Sequence, residues 1–161
     1  MSMPLNPTAA PAGRGQSQAI DLVRKIDGID GHWQPRVVAE MNDYQFKVVK
    51  VQGEFPWHVH ADTDETFVVL EGELKIATRG RADAGDGDGD GDRAGDGDGE
   101  CAGGEAVIVL RAGQMAVVPR GVEHQPSADA EVKMLLIEPR GVVNTGDGAP
   151  GARTVANDQW V

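Results

Sequence analysis

From Arg36 onward, apolar residues alternate with polar ones or gather in short β-branched runs, and Gly or Pro breaks the pattern at short intervals. Successive side chains of a strand point to opposite faces, so this rhythm predicts strands rather than helices. Eight segments carry it: RVVAEM at 36–41, YQFKVVKVQ at 44–52, HVH at 58–60, ETFVVLEG at 65–72, ELKIATR at 73–79, AVIVLR at 106–111, QMAVVP at 114–119 and VKMLLIEP at 132–139. Strands this closely spaced, with no helix among them, favour a sandwich, jelly roll or barrel over a parallel α/β arrangement. Ahead of them the period changes. Ile20, Val23 and Ile26 fall on one helical stripe, with Ser17 placed to cap it and Gly28 to stop it. A short helix is therefore expected from Ser17 to about Ile26.

These elements divide the chain. Residues 1–16, rich in Pro, Ala and Gly, offer too little apolar surface to offset ordering entropy and are expected to form a disordered tail. The helix and a connection occupy 17–35, the β-domain 36–145, and a C-terminal extension 146–161. Within the β-domain, residues 82–104 interrupt the strands with alternating Asp and Gly. Self-repelling and without apolar content, this stretch is expected to be a disordered, solvated loop insertion. A calcium site is the competing reading. Against it, the apolar residue that each turn of a calcium-binding β-roll buries is missing, and the EF-hand spacing is not met.

Composition and charge narrow the function. A chain of 161 residues is one domain long. Its formal net charge of −11 is concentrated in the insertion, where seven Asp and one Glu stand against one Arg and leave −4 for the rest. No stripe of Lys and Arg is present, so nucleic acid is not an expected partner. No apolar run approaches the roughly 20 residues that cross a bilayer, and no membrane partner is expected. The first residues lack the basic-then-apolar layout of a signal peptide, so a cytoplasmic location is expected. Cys101, the single cysteine, has no partner for an internal disulfide and is read as a bystander.

The chemistry lies in two segments. In an extended backbone His58 and His60 project to one side, and Glu65, opening the next strand after the turn at 61–64, can swing a carboxylate to the same point. His124 can supply a fourth ligand, just after a strand ends at Pro119 and the chain turns at Gly121. Three imidazoles and a carboxylate suit Fe, Mn, Co, Ni, Cu or Zn and leave coordination positions open. His32, in Gly31-His-Trp, stands apart from this spacing, and Asp62 and Asp64 read as turn residues more readily than as acceptors supporting a ligand.

The spacings His58-x-His60-x4-Glu65-x6-Gly72 and Gly113-x5-Pro119-x-Gly121-x2-His124 resemble the two motifs of the cupin superfamily. Gly53 stands one residue closer to the first His than in the usual pattern, and Ala128 occupies a place where many cupins have Asn. The wider chain, from DGHWQPRVVAEM through LLIEPRGVVNTGD to NDQWV, is similar to small single-domain bacterial cupins often described as resembling mannose-6-phosphate isomerase. The resemblance implies an all-β, double-stranded β-helix (a jelly-roll barrel) with a short N-terminal helix. It also implies one divalent metal ion, Fe, Mn, Ni or Zn, held by His58, His60, Glu65 and His124, and a homodimer.

Proton transfer would need another group facing the metal. If Val49 and Val51 face inward, so does Lys47, a candidate general base; in the opposite register Tyr44 takes its place. Arg140 and Glu123 are read as surface residues. Phe67 shares the parity of Glu65 and is expected to wall the pocket with Val69 and Met115, whereas Trp57 has the opposite parity to His58 and is expected outside. The expected function is a mononuclear metalloenzyme acting on a small organic substrate by isomerase, lyase or dioxygenase chemistry. The alternative is a non-catalytic module that binds metal or a small ligand.

Overall fold

The computed structural model describes residues 18–79 and 105–161. The expected tail, Ser17 and the Asp/Gly insertion lie outside the described residues. Within them, a short helix α1 (Leu22–Asp27) precedes seven strands. These are β1 (Arg36–Met41), β2 (Tyr44–Glu54), β3 (Glu65–Glu71), β4 (Glu73–Arg79), β5 (Glu105–Arg111), β6 (Met115–Val118) and β7 (Glu123–Pro139).

β7 organises the sheet. Along one edge it pairs with β2 over 127–139, and along the other with β4 over 123–127 and then with β3 over 133–137. β1 extends the sheet beyond β2, β6 beyond β3 and β5 beyond β4, and every strand pairing is antiparallel. A long strand that hands its partners from one sheet to another wraps the structure round an interior, as in the jelly-roll barrel expected from the sequence.

That interior follows the period of two. Val49 and Val51 on β2, Phe67 and Val69 on β3, and Val132, Met134 and Leu136 on β7 meet Leu74, Ile76 and Leu110 in one buried cluster. Complete burial of each such side chain contributes about 1.5–3 kcal/mol. The opposite faces of β2, β3 and β7 present Phe46, Val48, Val68, Leu70, Leu135 and Ile137 to a second cluster, where Ile26 and Ile29 pack from the helix side. β2 is therefore buried on both faces near its middle, because α1 covers its outer side.

Three expectations need correction. The helix starts at Leu22, not Ser17: Asp21 is its N-cap, and its Oδ1 accepts from the Arg24 amide at 3.0 Å. Residues 58–60 form no strand and touch the sheet only through a bridge between His58 and His124. β7 is 17 residues long and begins at Glu123, nine residues before the expected VKMLLIEP. Beyond β7 the chain returns to the barrel, where Val37 N donates to Gln159 O and Val161 N to Val37 O beside β1.

Candidate metal centre

Backbone bonds hold the two motif segments together. His58 and His124 exchange both amide bonds, at 3.0 and 2.9 Å, which makes them directly opposed residues with side chains on one face. Gly121 N donates to His60 O at 2.8 Å, and Arg120 N to Asp64 Oδ1 at 2.9 Å, so Asp64 ties the two loops rather than a ligand. From the other side, Asp147 N donates to Val59 O and Asp147 Oδ2 accepts from Ala61 N. The segment carrying two histidines is thus clamped although it is not in a strand. Glu65 opens β3 facing inward with Phe67 and Val69, and His124 faces inward from β7.

All four side chains are buried. His58 Nδ1 lies 3.0 Å from Pro56 O, and His124 Nδ1 lies 3.0 Å from Val122 O. A carbonyl only accepts, so each Nδ1 carries the hydrogen, and in the neutral ring Nε2 turns a lone pair to the cluster. Those nitrogens surround one carboxylate oxygen. Glu65 Oε2 is 3.0 Å from His124 Nε2, 3.3 Å from His60 Nε2 and 3.9 Å from His58 Nε2.

Burial pushes His58 down to about 4, with the neighbouring His124 acting the same way. Burial alone would raise Glu65, but its interactions with the adjacent His124 and His60 outweigh it and bring the carboxyl down to about 2. For His60, burial acts downward and Glu65 carries the net shift upward. At neutral pH the cluster thus holds an ionised carboxylate and a neutral His58. Lone pairs aimed at an anion repel unless a cation stands among them. Ligand atoms from all four residues lie within 4.8 Å of one another, and the buried His60 Nε2 has no hydrogen-bond partner. A buried polar atom without a partner is rare in folded proteins. The four residues fit a divalent ion, and their donor set suits Fe, Mn, Ni or Zn.

No protein-family model matches the chain. A cupin-2 domain containing protein from Shewanella frigidimarina NCIMB 400 is 47% identical, the match covering 75% of this chain and 94% of that one with a TM-score of 0.58. The chain is a cupin. The uncharacterised protein YdbB of Bacillus subtilis strain 168 is 28% identical over 101 residues, 63% of this cupin and 68% of that protein. Hydroquinone 1,2-dioxygenase PnpCD, in complex with Cd2+ and 4-hydroxybenzonitrile, is similar in fold at 19% identity, covering 88% of this cupin and 83% of that chain with a TM-score of 0.57.

Lys47 faces the interior of the cupin barrel, 4% exposed, and its Nζ lies 2.8 Å from Glu138 Oε1 on β7. Tyr44 is on the other face and 48% exposed, away from the ligand cluster. Glu138 and Gln45 escaped the sequence reading. They are cross-strand partners, and each is almost wholly buried. Gln45 Nε2 donates to Glu40 Oε1 at 2.9 Å and to Asp158 Oδ1 at 2.5 Å, and Arg140 pairs with Glu40. Glu138 is pushed up to about 7, first by burial and then by the charge of Glu65, while Lys47 and His60 act downward. The signal available in the sequence was parity: Glu138 continues the inward series Val132, Met134, Leu136.

The remaining expectations divide. Phe67 is an inward wall, 2% exposed, with its ring edge-on to His124 at 6.0 Å, and Val69 is fully buried. Met115 is 57% exposed and forms no part of the wall, because Ala116 and Val118 take the inward positions of β6. Trp57 is half-buried beneath the Arg79 guanidinium, and Arg79 also pairs with Glu123 at 3.6 Å. His32 bonds Glu131 at 2.8 Å, remote from the ligands in its partners. No described helix is long and apolar enough to cross a membrane.

Proposed function

We propose that this cupin is a mononuclear metalloenzyme acting on a small organic substrate, with one divalent ion held by His58, His60, Glu65 and His124. The observation that carries the proposal is the buried, unpartnered His60 Nε2, set with two further imidazole nitrogens around the Glu65 carboxylate. A bound ion would supply Lewis acidity and open coordination positions to a substrate oxygen. The chain's own residues orient and exclude. Pro56 O and Val122 O fix the His58 and His124 rings, and Phe67 keeps water from the inner side of the cluster. Behind the cluster, Lys47 holds Glu138 through Oε1, leaving Oε2 to keep or lose a proton near neutral pH. Lys47 and Glu138 form the acid/base pair of this proposal; Tyr44, on the outer face, takes no part in it. Isomerase, lyase and dioxygenase chemistry all use such a site, and PnpCD shows that a barrel of this shape can house a dioxygenase.

The alternative is a non-catalytic binder of metal or a small ligand. One observation favours it: neither Lys47 nor Glu138 lines the cavity beside the ligands.

Elemental analysis of protein purified without added metal tests the centre. About one equivalent of iron, manganese, nickel or zinc is expected, and it is lost in His58→Ala and in His124→Ala. Failure to bind any of these ions after reconstitution would refute the centre. A turnover screen of the loaded protein against sugar phosphates, uronates, diketones and phenols then separates enzyme from binder, since a binder gives thermal shifts without product.

A further inference from the structure

Gln45, Glu138 and Glu65 form a row across the interior of the barrel. Gln45 and Glu138 are directly opposed on β2 and β7, and the register Thr66↔Ile137 sets Glu65 of β3 beside Glu138. All three are buried. The row marks the metal end of the barrel, because Glu65 belongs to the ligand cluster as well. Six residues further along β2 and β7, Val51 and Val132 fill the interior with Leu74 and Leu110, which leaves no polar route from that side. At the metal end, the cavity beside His58 and Glu65 has room for about two water molecules. A substrate needs more space than that, so an element at this end has to move.

The C-terminal segment 148–161 covers this end. Asp158 Oδ1 accepts from Gln45 Nε2, Gln159 O accepts from Val37 N, and Val161 N donates to Val37 O. Asn144, which lines the cavity, donates through Nδ2 to Arg153 O and accepts through Oδ1 from Val155 N, and Arg153 stands 5.7 Å from the Trp33 ring. The cover is one residue thick: Gln45 is fully buried, yet Asp158, which holds it, is exposed. It is also weakly anchored. None of residues 148–161 is buried, so no apolar side chain fixes the segment, and the hydrogen bonds that attach it are ones water can replace. Asp158 has a φ of +58°, in the left-handed region that residues other than Gly adopt at a cost. Just before the segment, Gly146 and Asp147 are clamped against Val59 and Ala61 and stay with the barrel. We infer that residues 148–161 are a lid on the metal end of the barrel, hinged at Gly146 and Asp147 and latched by Asp158 on Gln45. Opening releases the Gln45 amide and uncovers the row that leads to Glu138 and Glu65. This brings Lys47 and Glu138, which do not line the closed cavity, within reach of a substrate. The need for entry rests on the function proposed above; the lid itself rests on these contacts.

Two measurements on the full-length protein test the lid. In hydrogen exchange, residues 148–161 are expected to exchange at least tenfold faster than 132–138 of β7, and the Val37 amide, which donates to Gln159, should exchange with the lid rather than with the rest of the sheet. Diethyl pyrocarbonate, which acylates neutral imidazole, reads access to the site in EDTA-treated protein. His58, His60 and His124 should react at least tenfold more slowly than His32, whose side chain is 33% exposed. Asp158→Ala should speed those three at least fivefold while His32 and the β7 amides keep their rates. Exchange of 148–161 and Val37 as slow as that of β7 would make the segment a fixed part of the barrel and overturn the inference, as would unchanged histidine rates in Asp158→Ala. If Asp158→Ala does not fold, hydrogen exchange in the unaltered protein decides. Neither readout uses an ion, so a chain that takes up no metal in elemental analysis refutes the metal centre and leaves the lid to be judged by its own results.

Discussion

Gly146 lies outside both histidine motifs, yet the placement of His58 and His60 depends on it. Its φ of +68° belongs to the left-handed region, and a Cβ added there would overlap the carbonyl of Val59, the residue between His58 and His60. Asp147 next to it makes two bonds to that same stretch. Gly146→Ala must therefore either displace 58–60 or detach the C-terminal segment. The expected cost is roughly 1–3 kcal/mol of stability, together with weaker metal retention. Thermal denaturation and competition with a chelator would read both, and a variant matching the parent in each would show that the clamp is dispensable. At this scale the sequence was informative about which four side chains come together because their spacing is tight: three histidines and a Glu at fixed offsets, among Gly and Pro that set the turns. It was silent about Gly146, since the contact joins positions 87 residues apart and no local pattern reports it.

Among the elements, β7 shows why part of the site stayed hidden. Its second half was legible as VKMLLIEP because the inward positions are apolar. Its first half, EHQPSADAE, keeps the same alternation, with His124, Pro126 and Ala128 buried, but the inward side chains there serve the site or pack closely. Polar and small residues in a core position look like a turn, so the strand was cut short where it becomes functional. Glu138 was missed for the same reason: a carboxyl beside Pro139 reads as a strand end.

Its burial has a measurable consequence. Glu138 is raised from 4.5 to about 7 in the folded state. The folded protein therefore binds the extra proton between those values, and the stability this carboxyl contributes is present below about pH 4.5 and lost as pH rises toward 7. The difference corresponds to about 3 kcal/mol at most. In Glu138→Gln nothing titrates at that position. The stability of the variant relative to the parent should therefore climb between about pH 4.5 and 7 and then level off. Denaturant unfolding across that range checks this, and a difference independent of pH would mean that Glu138 stays ionised. His58 works in the opposite direction over pH 4 to 6.5, since its lowered pKa makes the folded state lose stability as pH falls. It is common to both proteins and cancels in the comparison.

For the molecule as a whole, the two strands that flank the acidic insertion pair with each other. β4 and β5 pair in continuous register from Glu73↔Arg111 to Arg79↔Glu105, so the chain leaves and re-enters the sheet at adjacent positions. Two strand ends already side by side can be joined by a short hairpin turn. Shortening a flexible connection lowers its closure entropy by about 0.6 kcal/mol for each halving of length. Replacing residues 82–104 with two turn residues should accordingly leave metal content unchanged and raise stability by about 1.5 kcal/mol, the connection being shortened by between two and three halvings. The net charge would fall from −11 to −4. Calcium added to the full chain should leave its melting temperature where it was, because the Asp/Gly spacing lacks the features of a calcium loop. Loss of metal or of the cooperative transition in the shortened protein, or a calcium-dependent rise in the full chain, would instead make residues 82–104 a working part of the cupin. The all-β class and the placement of the insertion between two strands could be read from local alternation, whereas the choice of a jelly-roll barrel over a sandwich was implied only by the resemblance of the two motifs. The closure through β7 depends on pairings between distant segments, and no single stretch of the chain encodes those.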